Sequence, residues 1–432
     1  MSIKRNINYC QNNVPTMKTL KISAIALFAI ALLLLVAGCT QPAGTPQGVP
    51  TTTVPQTQAG TEIDVLYSGF GTMPTLMASK QIDAYIAWQP YVEVAPMAGF
   101  GKVLSYSGDL PPDSKWKGHP CCVFVTTTGM EKENPDLVNA MTALMMLSTD
   151  YINTHQDESG AIVAEWLAGK SNFTYGNISV SSEQAMTRAI YTVNFTNTPT
   201  DTWQNGILQF MYAQRELGVL NGTLVNASDA DAKAMLFDSA PYQNAKQMIQ
   251  NNHIVTPPKA TRQLGFGYLL SDHDTMLYVA VKKWQYFNDT YGIALKPRDS
   301  TQSRPEIADL IVNGQPVAEV KLISAEFGGP LMQLAATDSI QFSIVGNPPV
   351  IATVDKGNPV KIIMAANLEG SGVVVSADSP AHDWPSFFAW AKQRADAGKP
   401  LRIADPGKGS IQDILLKYSM KESNLSVKEV NS

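Results

Sequence analysis

From residue 61 onward, short runs of β-branched and aromatic residues alternate with longer helical stretches, and the alternation occurs in two successive blocks. That order is the signature of an α/β protein whose strands are largely parallel. In the first block the strands read as 63–67, 82–88, 102–104 and 121–126, with a helix at 74–81. Asn134-Pro135-Asp136 then supplies a capping side chain, a proline at the first helical position and an early acid, which predicts a long helix to about residue 155. Ser181-Ser182-Glu183-Gln184 opens another helix with a capping-box pattern, and 202–217 is amphipathic. Residues 251–261, with Pro257-Pro258, read as a linker. The second block has strands at 264–269, 317–323, 339–345, 360–365, 372–376, 401–404 and 427–430, and helices at 276–291, 329–336, 384–397 and 410–420.

A chain of 432 residues, 44% hydrophobic and 16% charged, has room for two or three domains. Its formal charge of −5 offers no basic field for a phosphate backbone, so nucleic acid is excluded as a partner.

Lys18 and Lys21 precede an uncharged apolar run at 22–36, short for a membrane span and suited to a signal-peptide core. The run ends in Val36-Ala37-Gly38-Cys39 and resembles a lipoprotein lipobox, in which cleavage before the cysteine leaves a lipid on Cys39. Residues 1–39 are thus expected to be a signal peptide. The alternative is an uncleaved anchor, and both leave the rest of the chain extracytoplasmic, at the outer face of the cell membrane. Met17 is a second candidate start. Residues 40–60 carry no charge and are rich in Thr, Pro, Gln and Gly, a composition for a disordered tether. N-x-S/T sequons at Asn172, Asn177, Asn194, Asn221, Asn226, Asn288 and Asn424 agree with export. Beyond Cys10 and Cys39 the cysteines are the adjacent Cys121 and Cys122, which excludes a disulfide framework and a CxxC zinc site.

The two blocks carry different motifs. Gly267-Tyr268-Leu269 with Asp272-His273, Val345-Gly346-Asn347-Pro348-Pro349, Asn367-Leu368-Glu369-Gly370-Ser371 and Asp405-Pro406-Gly407-Lys408-Gly409-Ser410 resemble the first half of the nitrate/sulfonate/taurine-type solute-binding proteins of ABC importers. Ile82-Asp83-Ala84-Tyr85-Ile86-Ala87-Trp88-Gln89-Pro90, His119-Pro120-Cys121-Cys122 and Glu133-Asn134-Pro135-Asp136 resemble the second half. The resemblance implies a type II periplasmic-binding-protein fold, two α/β lobes joined by two crossovers, with the halves in circularly permuted order. Lobe II would comprise 61–117 and 372–432, and lobe I 118–250 and 262–371, with 251–261 joining the family's C- and N-terminal ends. Residues 427–430 and 63–66 look like two versions of one strand, leaving one spare. A permuted monomer and a truncated tandem completed by strand exchange in a dimer both satisfy this order.

The resemblance implies a small solute held between the C-terminal ends of strands and the N-termini of helices. Gly409 and Ser410, opening a helix, are a candidate anion cradle, or a plain N-cap. Asn347 stands where the family faces its cleft, with Pro348-Pro349 stiffening a turn. Asn367, Glu369 and Ser371 lie at the crossover, where hinge and ligand contacts coincide. Trp88 and Gln89 end a strand of the other lobe, where an aromatic ring closes over the ligand. Asp272 and His273 follow the first strand and read equally as contacts or as supports. His119, Cys121 and Cys122 mark the return crossover, and the buried thiols read as packing.

No HExxH, GxSxG or CxxC occurs, and the five histidines are scattered, so no catalytic constellation, cofactor or metal site is expected. The family's enzyme branch, which makes a thiamine pyrimidine, has a cysteine-rich run that Val123-Phe124-Val125 interrupts here. The implied partners are an ABC permease with its separate ATPase, the membrane through the lipid anchor, and a small anionic or polar ligand. The expected ligand is sulfonate-, taurine- or nitrate-like, and the few cations near the cleft suit one read by backbone N–H groups, hydroxyls and amides, such as a sulfonate; the alternatives are a thiamine-pyrimidine binder or synthase-like enzyme of the same fold, or an inactive truncated tandem half-pair.

Overall fold

The computed structural model describes residues 61–169 and 171–430; the expected signal peptide, lipid-bearing Cys39 and tether lie outside the described residues. In chain order the strands are β1 (Thr61–Tyr67), β2 (Ala84–Trp88), β3 (Gly101–Tyr106), β4 (Cys122–Thr127), β5 (Phe173–Tyr175), β6 (Ile178–Val180) and β7 (Val193–Phe195). After the linker come β8 (Leu264–Leu269), β9 (Ile293–Pro297), β10 (Ile307–Val312), β11 (Gln315–Ala325), β12 (Phe342–Gly346) and β13 (Val360–Ala365). The last four are β14 (Asn367–Glu369), β15 (Ser371–Ser376), β16 (Arg402–Asp405) and β17 (Leu425–Val430).

Two large sheets result. One runs β17-β1-β16-β2-β15-β3, so it draws strands from both ends of the described chain. The other runs β13-β4-β12-β8-β11-β10-β9. In the first, β17, β1, β16 and β2 are mutually parallel, while β15 is antiparallel to both β2 and β3. In the second, β11, β8 and β12 are parallel, while β4 is antiparallel to both β12 and β13. Five strands of each sheet therefore repeat one arrangement, β1-β16-β2-β15-β3 matching β11-β8-β12-β4-β13. In these five the antiparallel strand is the one arriving from the other sheet, β4 after β3 and β15 after β13 by way of the short β14, which pairs with β7.

The sheets are thus mixed, which corrects the expectation of largely parallel strands. Each sheet accepts a strand returning from its neighbour, and a return without a crossover helix runs antiparallel. The strand expected at 427–430 is β17, an extra edge strand beside β1 and outside the repeated five, pairing from Thr61 with Leu425 to Leu66 with Val430. The helix expected at 276–291 is two helices, Thr275–Lys282 and Trp284–Tyr291, broken at Lys283 with φ −101° and ψ 23°. Pro348 and Pro349 do not stiffen a turn. They sit in the first turn of helix Asn347–Asp355, where a missing N–H costs nothing.

Local signals explain other elements directly. The Asn134 side chain accepts from the Leu137 N–H at 3.2 Å and starts helix Pro135–Thr154, whose side chains are buried along most of its length. Ser181 accepts from the Gln184 N–H at 3.3 Å at the head of helix Ser182–Ile190. In the second sheet Phe124 of β4 stacks on Phe266 of β8 and Phe342 of β12, with ring centroids 5.7 and 5.9 Å apart. Burial of each such ring stabilises by about 1.5–3 kcal/mol. The linker lies against the second sheet, with Asn134 Nδ2 donating to Pro258 O at 2.8 Å and Ala260 N–H to Val317 O at 2.7 Å.

Candidate functional site

Parallel strands end on one side of a sheet, and the chain leaving them builds a site from short connections. Here β2 ends at Trp88, β8 at Leu269, β12 at Gly346 and β16 at Asp405. These ends meet around a narrow pocket of about 20 Å³ lined by Trp88, Cys121, Cys122, Ser271, His273, Ser410 and Gln412, with Leu269, Gly346 and Ile411 among its apolar walls. Both large sheets contribute. No Lys or Arg lines it.

Three of the ten sequence-predicted ligand residues, Trp88, His273 and Ser410, line this pocket. Trp88 is 3% exposed and packs on Phe70 with ring centroids 5.0 Å apart; its indole nitrogen has no hydrogen-bond partner in the protein. Ser410 is an N-cap: its Oγ accepts from the Asp413 N–H at 3.1 Å, while the Gly409 N–H donates to the Asp413 carboxylate at 2.7 Å. The helix N-terminus is thereby neutralised by its own acid.

The other predicted residues surround the pocket and hold its walls. Asn347 Nδ2 donates to Pro120 O at 3.0 Å and to Cys121 O at 3.3 Å. Asn367 Oδ1 accepts from the Cys122 N–H at 2.8 Å, and its carbonyl accepts from the Cys121 N–H at 3.0 Å. Ser371 Oγ accepts from Gln412 Nε2 at 2.8 Å. Gln89 Nε2 donates to Thr192 Oγ1 at 2.8 Å, and its N–H to Gly370 O at 3.0 Å. Glu369 accepts from the Gly118 N–H at 2.5 Å and adopts φ 56°, followed by Gly370 at φ 83°. A Cβ at Gly370 would collide with His273 Nε2, so the crossover passes directly over the imidazole.

That imidazole is the centre of a buried polar cluster. His273 Nε2 faces Gly370 O at 2.9 Å, and Nδ1 faces Cys121 Sγ at 3.3 Å and Cys122 Sγ at 3.8 Å. Burial opposes a charge on His273, but the Cys121 sulfur and Asp272 overcome it and push the imidazole up to about 9. Burial likewise opposes ionisation of Cys121, yet the Cys122 thiol donating to it and the neighbouring His273 bring it well below the usual thiol range. Cys122, donating to Cys121 and buried, is pushed well above that range. Burial pushes Asp272 up to about 7, and neither of its carboxylate oxygens has a hydrogen-bond partner in the protein. Asp272 Oδ1 lies 3.8 Å from His273 Nε2. His119, by contrast, is pushed down by burial and bonds Ser107 Oγ at 2.9 Å, away from the pocket.

Gln412 and Ser271 were not singled out in the sequence, and the cysteine pair was read as packing. Buried polar residues just after a strand or in a helix's first turn carry no motif, and His273 is 151 and 152 residues from the cysteines it meets. Orphaned buried polar atoms gather around the same place: Trp88 Nε1, Gln89 Oε1, both Asp272 oxygens, Asn347 Oδ1 and Asn367 Nδ2. Each costs about 1–3 kcal/mol when it stays unpaired, and such a concentration marks a place built for more than packing.

The strand ends, the narrow pocket between two sheets and the uncompensated polar groups place the candidate site of this α/β protein where its sheets meet. The NMT1-like family model matches residues 37–168. An uncharacterized protein of Methanocaldococcus jannaschii is 34% identical over 107 residues, which is 24% of this chain and 71% of that protein. The chain belongs to the NMT1-like family, which includes solute-binding proteins and thiamine-pyrimidine synthase-like proteins. No solved structure matches it.

Proposed function

We propose that this chain is an extracytoplasmic solute-binding lipoprotein that carries a small polar solute to an ABC importer, without transforming it. The observation that carries this reading is the repeated five-strand arrangement of the two sheets, each completed by a strand arriving from the other, with the pocket at the strand ends between them. Two lobes joined by two crossovers can close over a ligand and reopen, which is what capture and delivery require. The same arrangement supports a type II periplasmic-binding-protein topology in permuted order, because strands from 61–106 and 371–430 share one sheet. Anchoring through Cys39 rests on the lipobox resemblance, and transfer to a permease and its ATPase on the family.

The pocket also favours a second reading of the ligand. No Lys or Arg lines it, and the nearby Asp272 oxygens lack partners, so a full negative charge would meet only the single His273 imidazole there. A neutral, hydrogen-bonding heteroaromatic such as a thiamine-type pyrimidine suits Trp88 and the amides better than a sulfonate does. A thermal-shift panel of aliphatic sulfonates, taurine, nitrate, bicarbonate and aminopyrimidines tests both readings. A ligand at 100 times its Kd stabilises by about 2.7 kcal/mol, a rise of several degrees in Tm. The expected result is such a rise with one class, with the ligand recovered chemically unchanged; a converted ligand, or no shift with any class, would overturn the transport reading.

A further inference from the structure

We propose that Cys121, Cys122 and His273 form a binding site for one divalent ion of the zinc type, on the wall of the pocket. The three donor atoms lie within 4.8 Å of one another, all three residues are buried, and all three line the pocket. The two sulfur distances to Nδ1, 3.3 and 3.8 Å, bracket what coordination requires. An ion held tetrahedrally, about 2.3 Å from sulfur and about 2.0 Å from nitrogen, keeps those two ligand atoms about 3.5 Å apart. The donors therefore stand close to their bound spacing before any ion arrives.

The surroundings fix the donors for this role. His273 Nε2 faces the Gly370 carbonyl at 2.9 Å, so Nε2 keeps its proton and Nδ1, turned towards both sulfurs, is the nitrogen that would give up its proton to bind the ion. The backbone carrying the cysteines is clamped by Asn367, which bonds the N–H groups of both, and by Asn347, which bonds the Cys121 carbonyl. Plain packing of two small thiols requires neither the anchored ring nor these clamps. Two thiolates and a neutral imidazole exactly offset a divalent cation, so the ion can be buried without net charge, which a monovalent ion would not achieve. Thiolate and imidazole ligands select the zinc type over magnesium or calcium. On binding, the protons held on the sulfurs and on Nδ1 leave to solvent. Three protein ligands leave a fourth coordination position for water or a pocket ligand. This site stands independently of which solute the cleft carries.

The test is titration of the reduced, metal-free protein with Co²⁺ as a spectroscopic substitute. One equivalent is expected to produce thiolate charge-transfer absorption that Zn²⁺ abolishes by displacement. Cys121→Ser and Cys122→Ser, checked for native melting, are each expected to weaken binding by about 100-fold or more. Absence of the charge-transfer band in the wild-type protein, or its persistence in the doubly substituted chain, overturns the proposal. Zinc K-edge absorption of the wild-type protein needs no variant: two sulfur neighbours with imidazole nitrogen are expected, and a shell of oxygen and nitrogen alone would refute the site.

Discussion

Glu131, in helix Thr128–Glu133, shows how one side chain can set a pH dependence. Its Oε1 is buried without a hydrogen-bond partner, and burial together with nearby Asp238 pushes the carboxyl up to about 7. A carboxyl raised in the folded state holds its proton there more tightly than in the unfolded chain. Stability contributed by this group is therefore present below about pH 4.5 and lost as pH rises through about 7. Glu131→Gln is expected to stabilise the protein by about 1 kcal/mol at pH 8, after allowance for partial exposure, and to change little at pH 4. Urea unfolding at the two pH values checks it; equal effects at both would show that the carboxyl does not titrate in this range. Residues differ in how far sequence exposes such roles. Asn134 announces its cap through the proline that follows it, because the signal and its partner lie three residues apart. Cys121, Cys122 and His273 announce nothing, because their meeting depends on two strands from distant parts of the chain.

Among the elements, β17 rewards closer attention because it adds an edge strand to a sheet that already has a strand beside β16. Its Glu429 accepts from Lys417 at 2.8 Å, from Lys408 at 2.9 Å and from Tyr67 Oη at 3.1 Å, which ties the strand to helix Ile411–Glu422 and to β1. The Lys417 hydrogen bond leads in holding the Glu429 carboxyl down at about 2. A depressed carboxyl stabilises above its unfolded value near 4.5, and that stabilisation is lost as pH falls through about 2. Because the pair is partly exposed, Glu429→Gln is expected to cost only about 0.5–1 kcal/mol at pH 7. Melting temperatures of the two proteins should converge as pH approaches 2; a gap that persists there would mean the strand is held by something other than this charge. Strand and helix boundaries followed their local signals unevenly. β8 and β13 coincide with their expected limits because unbroken apolar runs are bounded by turn residues. Helices Asp229–Leu236 and Ala240–Gln250 do not stand out in the sequence because their polar faces hide a narrow apolar stripe, and β9 and β10 because each is a short apolar run broken by a single charge. The break at Lys283 was invisible because nothing in Lys282-Lys283-Trp284 forbids a helix.

At the scale of the whole molecule, the arrangement makes chain order and spatial order separable. β1 lies between β16 and β17, strands from the other end of the sequence, while the linker at 251–261 completes neither large sheet. Its contacts are side-on: Asn313 Nδ2 to Ile254 O at 2.8 Å, and Asn134 Nδ2 to Pro258 O at 2.8 Å. If the linker joins what are termini in other members of the fold, its continuity is dispensable once the molecule is folded. Each piece made by a cut there lacks strands that the other supplies: β4 sits between β12 and β13, and β15 between β2 and β3. A protease site inserted between the exposed Asn252 and His253 and cleaved after folding should therefore leave one particle of unchanged mass. Light scattering coupled to size exclusion would show it, and the cut protein should keep the ligand-induced rise in Tm. Separation of the two pieces under native conditions would mean that the shared sheets do not bind them, and the permuted two-lobed reading would fall with them.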